Sequence, residues 1–358
     1  GGLVHECIRF APSRSEPEAL LVLAAITGWL AAEAHRRLPA AALSLTTLCM
    51  LAMGFPLLLW QLHGQGQPFA GYGALAWLVM LVLGLRALHA LRQGGDTVAG
   101  IAQFVWLLLW PSVASLALQQ VAQVNGLAQG WVVLLVLLPW LLLGALTLWR
   151  WRWVSLPLGT AFDAERPVLQ GLLFGGLALA WLYVHQLSGW ATPLPWLPVL
   201  NPAELAQWAI VALLARWLYA FPAQAPATLV RIRVPVLAVA GFIAATSLTL
   251  HTVHHLGHVP WNEALAASSL AQTSLTVVWS LLGVVAWISG SRRGQRTLWT
   301  VGAVLMALVL AKLILVDRQH LGNLLGIASF MAYGLLCTAV GYFAPAPPRR
   351  ADSVEERA

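Results

Sequence analysis

The amino-acid sequence predicts an all-α fold, a polytopic bundle of about eleven transmembrane helices. Three observations point to it. First, 59% of the 358 residues are hydrophobic, 9% are charged, and the mean hydropathy is +0.76. Soluble domains carry about a quarter of their residues as Asp, Glu, Lys and Arg, so a chain with this little charge takes the bilayer as its solvent. Second, the apolar stretches are unbroken rather than alternating with period two, which favours helices over barrel strands. Third, the basic residues fall in short groups between the stretches, mostly on every second connection.

A helix needs roughly 20 apolar residues to cross a bilayer. Such stretches lie near 18–35, 40–62, 72–92, 98–121, 130–150, 168–187, 203–221, 234–256, 264–289, 297–316 and 321–343. Arg36 and Arg37 follow the first, Arg92 the third, and Arg150, Arg152 and Arg166 the fifth. Arg231 and Arg233 follow the seventh, Arg292, Arg293 and Arg296 the ninth, and Arg349, Arg350 and Arg357 the eleventh. The connections after the second, fourth, sixth and eighth hold no Lys or Arg, and Arg318 after the tenth is the exception. The positive-inside rule then puts the C-terminus in the cytoplasm and, with an odd number of spans, residue 1 on the periplasmic side. The layout expected is an outer-side leader at 1–17 of a truncated chain, one transmembrane domain at 18–343, and a tail at 344–358. That tail is Pro-rich, then charged, and is expected to be cytoplasmic and disordered.

Composition also excludes several classes. The net charge of +7 would suggest nucleic acid in a soluble protein, but here the cations sit between spans as topology signals, so no nucleic-acid partner is expected. Membrane lipids are the expected surroundings, with the remainder of a longer chain or other membrane subunits as further partners. Cys7, Cys49 and Cys337 are far apart and imply neither a disulfide framework nor a zinc site; Cys49 and Cys337 read as small buried hydrophobes. Phosphate-cradling, dinucleotide-binding and nucleophile-elbow motifs are all missing. Most of the 19 tryptophans lie near span ends, where amphipathic rings settle at headgroup level.

The candidate site is the stretch Leu250 to Thr276, which joins the eighth and ninth spans. His251, His254, His255 and His258 are spaced i, i+3, i+4, i+7 and share one helix face for as long as the helix lasts. Gly257 and Pro260 are expected to end it near His255. Beyond the turn, Ser269, Gln272 and Thr276 form a polar stripe on the next helix. On the expected topology these groups lie at the outer face with Glu263, Asp317 and His320. The imidazoles suit proton transfer, because an unperturbed imidazole titrates near neutrality. Two of them at i, i+4, His251 and His255, would also suit a transition metal, with Glu263, Asp317 or His320 as third ligand; no H-E-x-x-H pattern supports one, and no other cofactor is implied.

Two further groups belong with this stretch. Lys312 and Asp317 are ionisable residues at the end of the tenth span, where the lysine stem can snorkel and Asp317 can cap the last helix. The segment Ala191 to Pro202 carries four prolines in ten residues and cannot be helical; Asn201 reads as an N-cap with Pro202 at N1 and Glu204 at N3. This loop would roof the histidines. The candidate catalytic residues are therefore His254, His255 and Asp317. The candidate substrate-binding residues are Trp261, Glu263, Ser269, Gln272 and Lys312.

Several segments carry a resemblance. P-L-P-W-L-P-V-L-N-P-A-E-L-A-Q (193–207), H-H-L-G-H-V-P-W (254–261), S-S-L-A-Q-T-S-L-T-V-V-W-S (268–280) and A-K-L-I-L-V-D (311–317) are four of them. With G-I-A-S-F (326–330) and G-Y-F-A-P-A-P-P (341–348), they resemble the C-terminal half of the DUF2339 family of bacterial membrane proteins. The resemblance spans 193–348 and implies a multi-span protein of the Gram-negative inner membrane, preceded by further spans, with no known reaction. Three function classes follow. One is an enzyme or carrier for an envelope substrate (a lipid-linked sugar, glycan or acyl group). The second is a non-catalytic scaffold or assembly subunit. The third is a transporter, against which the absence of acidic residues at span centres weighs.

Overall fold

The computed structural model describes residues 15–94, 97–220, 227–315 and 324–343. Most of the expected leader and the expected tail lie outside these residues, as do Asp317 and His320. Among the described residues all regular structure is helical, which gives the all-α fold that the sequence predicts. Nine helical stretches in this set are long and apolar enough to cross a membrane. They match the expected spans one to six and eight to ten. The expected seventh span is a helix of 19 residues, Pro202–Ala220, whose apolar run is diluted by Glu204, Gln207 and Arg216. The expected eleventh falls on the 20-residue helix Leu324–Phe343, which adjoins residues outside the described set.

Two compact units divide the chain. The first contains α1 (Glu16–Arg37), α2 (Ala41–Ala52), α3 (Gly54–Gln65), α4 (Gly73–Gly94), α5 (Thr97–Val124) and α6 (Gln129–Trp149). It continues through α7 (Trp151–Val154), a 3-10 segment (Gly159–Glu165), α8 (Arg166–Val184) and α9 (Pro202–Ala220). The expected second span is thus two helices, which meet at Met53. Within this unit α1 packs on α4 and α2, α2 on α5, α5 on α6, and α6 on α9. The core is centred on Leu21, Trp77, Met80, Leu88 and Phe162. Lipid tails are as apolar as leucine, so association depends on packing and interhelical hydrogen bonds. Both are present. Thr47 Oγ1 donates to the Gly28 carbonyl at 3.1 Å, Ser115 Oγ to that of Val136 at 2.6 Å, and Trp77 Nε1 to Gln61 Oε1 at 2.9 Å.

The second unit contains α10 (Ala227–Leu256), α11 (Glu263–Ala267), α12 (Ser269–Arg292), α13 (Arg296–Leu315) and α14 (Leu324–Phe343), and the residues Trp196–Val199 group with it. Helix α12 packs on α10, α13 and α14. Its approach to α13 is backbone to backbone. A Cβ at Gly302 would lie 2.4 Å from the Trp287 nitrogen, and one at Gly290 would lie 2.3 Å from that of Trp299. Small residues at such crossings let the two backbones touch. The expected ninth span, 264–289, is corrected here. Ser268 takes an extended conformation, its Oγ accepts from Ala271 N at 3.1 Å, and the long helix starts at Ser269. The two cysteines also differ from expectation: Cys49 and Cys337 are exposed on outward helix faces rather than buried.

Candidate functional site

The C-terminal half of α10 is rich in hydroxyls that bond back into the helix. Thr246, Thr249 and Thr252 each donate to the carbonyl four residues earlier, at 2.7–2.8 Å. The helix ends at Leu256, close to the expected point. Gly257 N bonds the Val253 carbonyl at 2.9 Å, and His258 adopts φ +56°. Gly257 is required at its position, since a Cβ there would meet Leu270 and the Val253 carbonyl, each at 2.6 Å. Two polar contacts then shape the turn. His254 Nδ1 donates to the Val259 carbonyl at 2.6 Å, and Asn262 Oδ1 accepts from Ala264 N at 2.9 Å to cap α11. A carbonyl partner requires the proton on Nδ1. Val253, Leu265 and Ala271 form the small core beneath, with Trp261 against it.

Above that core the rings make a continuous series. Trp196 stacks on His255 with centroids 4.6 Å apart and planes at 17°. His255 meets His254 edge-on at 4.5 Å. His254 meets Trp261 at 5.6 Å, and Trp261 tilts over His251 at 4.7 Å. These separations lie within the range where aromatic pairs attract. His251 is buried, Trp196, His254, His255 and Trp261 are half-buried, and His258 is exposed. The helical spacing of the histidines therefore builds a layered surface of imidazole and indole.

The polar stripe on α12 faces a cation. Lys312 Nζ of α13 donates to the Gln272 carbonyl at 3.0 Å and to Thr276 Oγ1 at 2.6 Å. Thr276 Oγ1 in turn donates to the same Gln272 carbonyl at 2.9 Å, and Ser280 Oγ bonds the Thr276 carbonyl at 2.7 Å. The Gln272 amide turns back to the Ala266 carbonyl. The lysine at this span end is thus held by the neighbouring helix.

A family model described as "Predicted membrane protein (DUF2339)" matches residues 9–347. The chain belongs to the DUF2339 family. The match extends through both halves of the chain, beyond the 193–348 segment that carries the sequence resemblance. No curated protein and no solved structure matches it. The family description and the apolar helices agree on a membrane protein, and neither supplies a reaction.

For this DUF2339 protein the sequence-predicted residues separate into three sets. His251, His254, His255 and Trp261 share the ring series. Gln272 and Lys312 come together with Thr276. Glu263 is exposed in the first turn of α11, Ser269 is half-buried at the start of α12, and Asp317 lies outside the described residues. Among the described residues no three His, Cys, Asp or Glu side chains converge as a metal site. Spacing alone misses two partners. Trp196 reads as a headgroup-belt tryptophan, and its place against His255 depends on the fold. Gln103, within an apolar run, is fully buried and bonds the Val154 and Leu156 carbonyls at 2.9 and 3.2 Å and Leu158 N at 3.2 Å.

Proposed function

We propose that this DUF2339 protein binds an envelope substrate of the lipid-linked sugar, glycan or acyl class at the periplasmic face of the bacterial inner membrane. The observation that carries the reading is the ring series Trp196–His255–His254–Trp261–His251. Half-buried indole and imidazole faces suit the C–H surface of a sugar or the start of a lipid chain. Exposed His258, Asn262 and Glu263 and half-buried Ser269 supply hydrogen-bonding groups around them. His255 and Asp317 are the groups proposed for proton transfer. His254 keeps a positioning role, because its Nδ1 is engaged by the Val259 carbonyl. The periplasmic placement rests on the alternation of basic connections, and a reporter fused after Ala358 should be active only in the cytoplasm.

The test uses the purified full chain in detergent with a polyprenyl-diphosphate-linked sugar as probe, followed by native mass spectrometry. Trp196→Ala and His255→Ala should each weaken retention about tenfold, since each removes one stacking face. Equal retention by wild type and both variants removes the substrate reading. A second reading, a non-catalytic scaffold, is favoured by one observation: Lys312, Gln272 and His254 all direct polar atoms to backbone carbonyls of the protein. An unchanged envelope phenotype for His254→Ala and His255→Ala, at unchanged protein level, would select it.

A further inference from the structure

The first unit holds a second polar constellation, unrelated to the ring series. Helices α1 and α4 pack together, and near the ends of both lies the segment that follows α7. A groove of about 1080 Å³ opens there. Arg36, Arg37, Arg86 and His89 line it, with Glu33 as the single carboxylate. Glu33 bonds Arg36 and lies 3.7 Å from Arg37, so its charge is already shared by two guanidinium groups. Arg86 is exposed and pairs with no carboxylate among the described residues. Three guanidinium groups against one carboxylate leave the groove positive.

Its walls have a different character. Leu30, Leu38, Leu85, Trp153 and Leu156 line the same groove, and all are exposed, Trp153 at 65% and Leu38 at 73%. A small soluble anion has no use for such walls. A phosphate joined to acyl chains matches both parts: the phosphodiester meets the arginines, and the chains run along leucine and indole. Basic pockets between membrane helices take anionic headgroups for this reason. We infer that this groove binds the headgroup of an anionic phospholipid, with the phosphate held by Arg36, Arg37 and Arg86 and the acyl chains leaving past Leu85, Trp153 and Leu156.

Native mass spectrometry of the delipidated full chain in detergent tests this, with phosphatidylglycerol, phosphatidylcholine and inorganic phosphate as separate probes. Phosphatidylglycerol should be retained in preference to phosphatidylcholine, and millimolar inorganic phosphate should not displace it. Each arginine removed should weaken phosphatidylglycerol binding about fivefold, so Arg86→Gln loses about fivefold and Arg37→Gln with Arg86→Gln about 25-fold. Arg86→Lys keeps the charge and should retain most of the binding, which separates loss of charge from misfolding. Three results overturn the inference. One is equal binding of phosphatidylglycerol by wild type and the double variant. Another is equal affinity for phosphatidylcholine. The third is displacement by inorganic phosphate, which would assign the arginines to a free anion.

Discussion

The Lys312 ammonium donates to Thr276 Oγ1 at 2.6 Å, while that hydroxyl donates its own proton to the Gln272 carbonyl at 2.9 Å. The carbonyl also accepts from the ammonium at 3.0 Å, so three groups from two helices close a triangle. Thr276 is 1% exposed, which places this triangle at a buried edge of the α12–α13 crossing. An ammonium at a membrane-helix end is expensive unless its donors are met, and here the Gln272 carbonyl and Thr276 Oγ1 both meet it.

This geometry makes the two partners unequal. Removing the ammonium in Lys312→Met leaves Thr276 Oγ1 still bonded to the Gln272 carbonyl, so neither of these α12 oxygens is stranded. Removing the hydroxyl in Thr276→Val leaves a cation with one fewer acceptor. Thr276→Val should therefore cost about 1.5–3 kcal/mol, and Lys312→Met less than about 1 kcal/mol. Thermal unfolding in detergent checks the order, and the double variant should be close to Lys312→Met alone. A larger loss for Lys312→Met would contradict it.

Residues close in sequence were legible in advance; residues joined by the fold were not. The end of α10 at Leu256 follows from Gly257 and Pro260, and the Asn201 cap on Glu204 N at 3.1 Å follows from N-P-A-E. The Glu33 pairs with Arg36 and Arg37 follow from helical spacing of three and four. By contrast, the sequence reads Lys312 as a snorkelling span-end lysine, whereas its ammonium bonds Thr276 and Gln272 of α12, 36 and 40 residues away. Trp196 and His255 are likewise distant in sequence, so no periodicity signals their stacking. The break at Ser268 was hidden because the polar run S-S-L-A-Q-T reads equally as a helix stripe or as a cap.

The crossing that holds the triangle depends on glycine. At Gly302 an added methyl meets the Trp287 backbone at 2.4 Å and the Gly283 carbonyl at 2.7 Å, neither of which can yield alone. At Gly283 the methyl meets Met306 Cγ and Sδ, both at 3.0 Å, on a side chain that can rotate. Gly302→Ala should cost about 2–3 kcal/mol and Gly283→Ala less than about 1 kcal/mol, the difference lying in what must move. A cysteine pair engineered across α12 and α13 should crosslink more slowly in Gly302→Ala. Equal melting temperatures for the two variants would show that the backbones are not held this close.

His254 should matter to the turn before it matters to any ligand. Its Nδ1–H is the side-chain bond to the Val259 carbonyl, and it spans the segment where His258 adopts a positive φ. His254→Ala removes the donor, at a cost of about 1 kcal/mol, and should raise amide exchange and protease cleavage between 257 and 262. His255→Ala removes a ring stacked on Trp196 and should leave exchange there unchanged. Equal exchange between 257 and 262 in the two variants would contradict this division of roles.

Gln103 offers the strongest test of the first unit, because one buried amide satisfies three backbone groups. Its Nε2 bonds the Val154 and Leu156 carbonyls, and its Oε1 accepts from Leu158 N, so the chain after α7 is fastened to α5 at one residue. Gln103→Leu fills the same space but leaves two carbonyls and one amide without that partner. Each stranded buried group costs about 1–3 kcal/mol, and partial relaxation toward water should bring the total to about 3 kcal/mol. Gln103→Glu keeps the acceptor for Leu158 N but places oxygen against the two carbonyls, and should be at least as damaging. The same segment carries Leu156 and Pro157 into the basic groove, so phosphatidylglycerol retention should fall in Gln103→Leu while all three arginines remain. Full retention alongside a lowered melting temperature would show that the groove keeps its shape without this fastening.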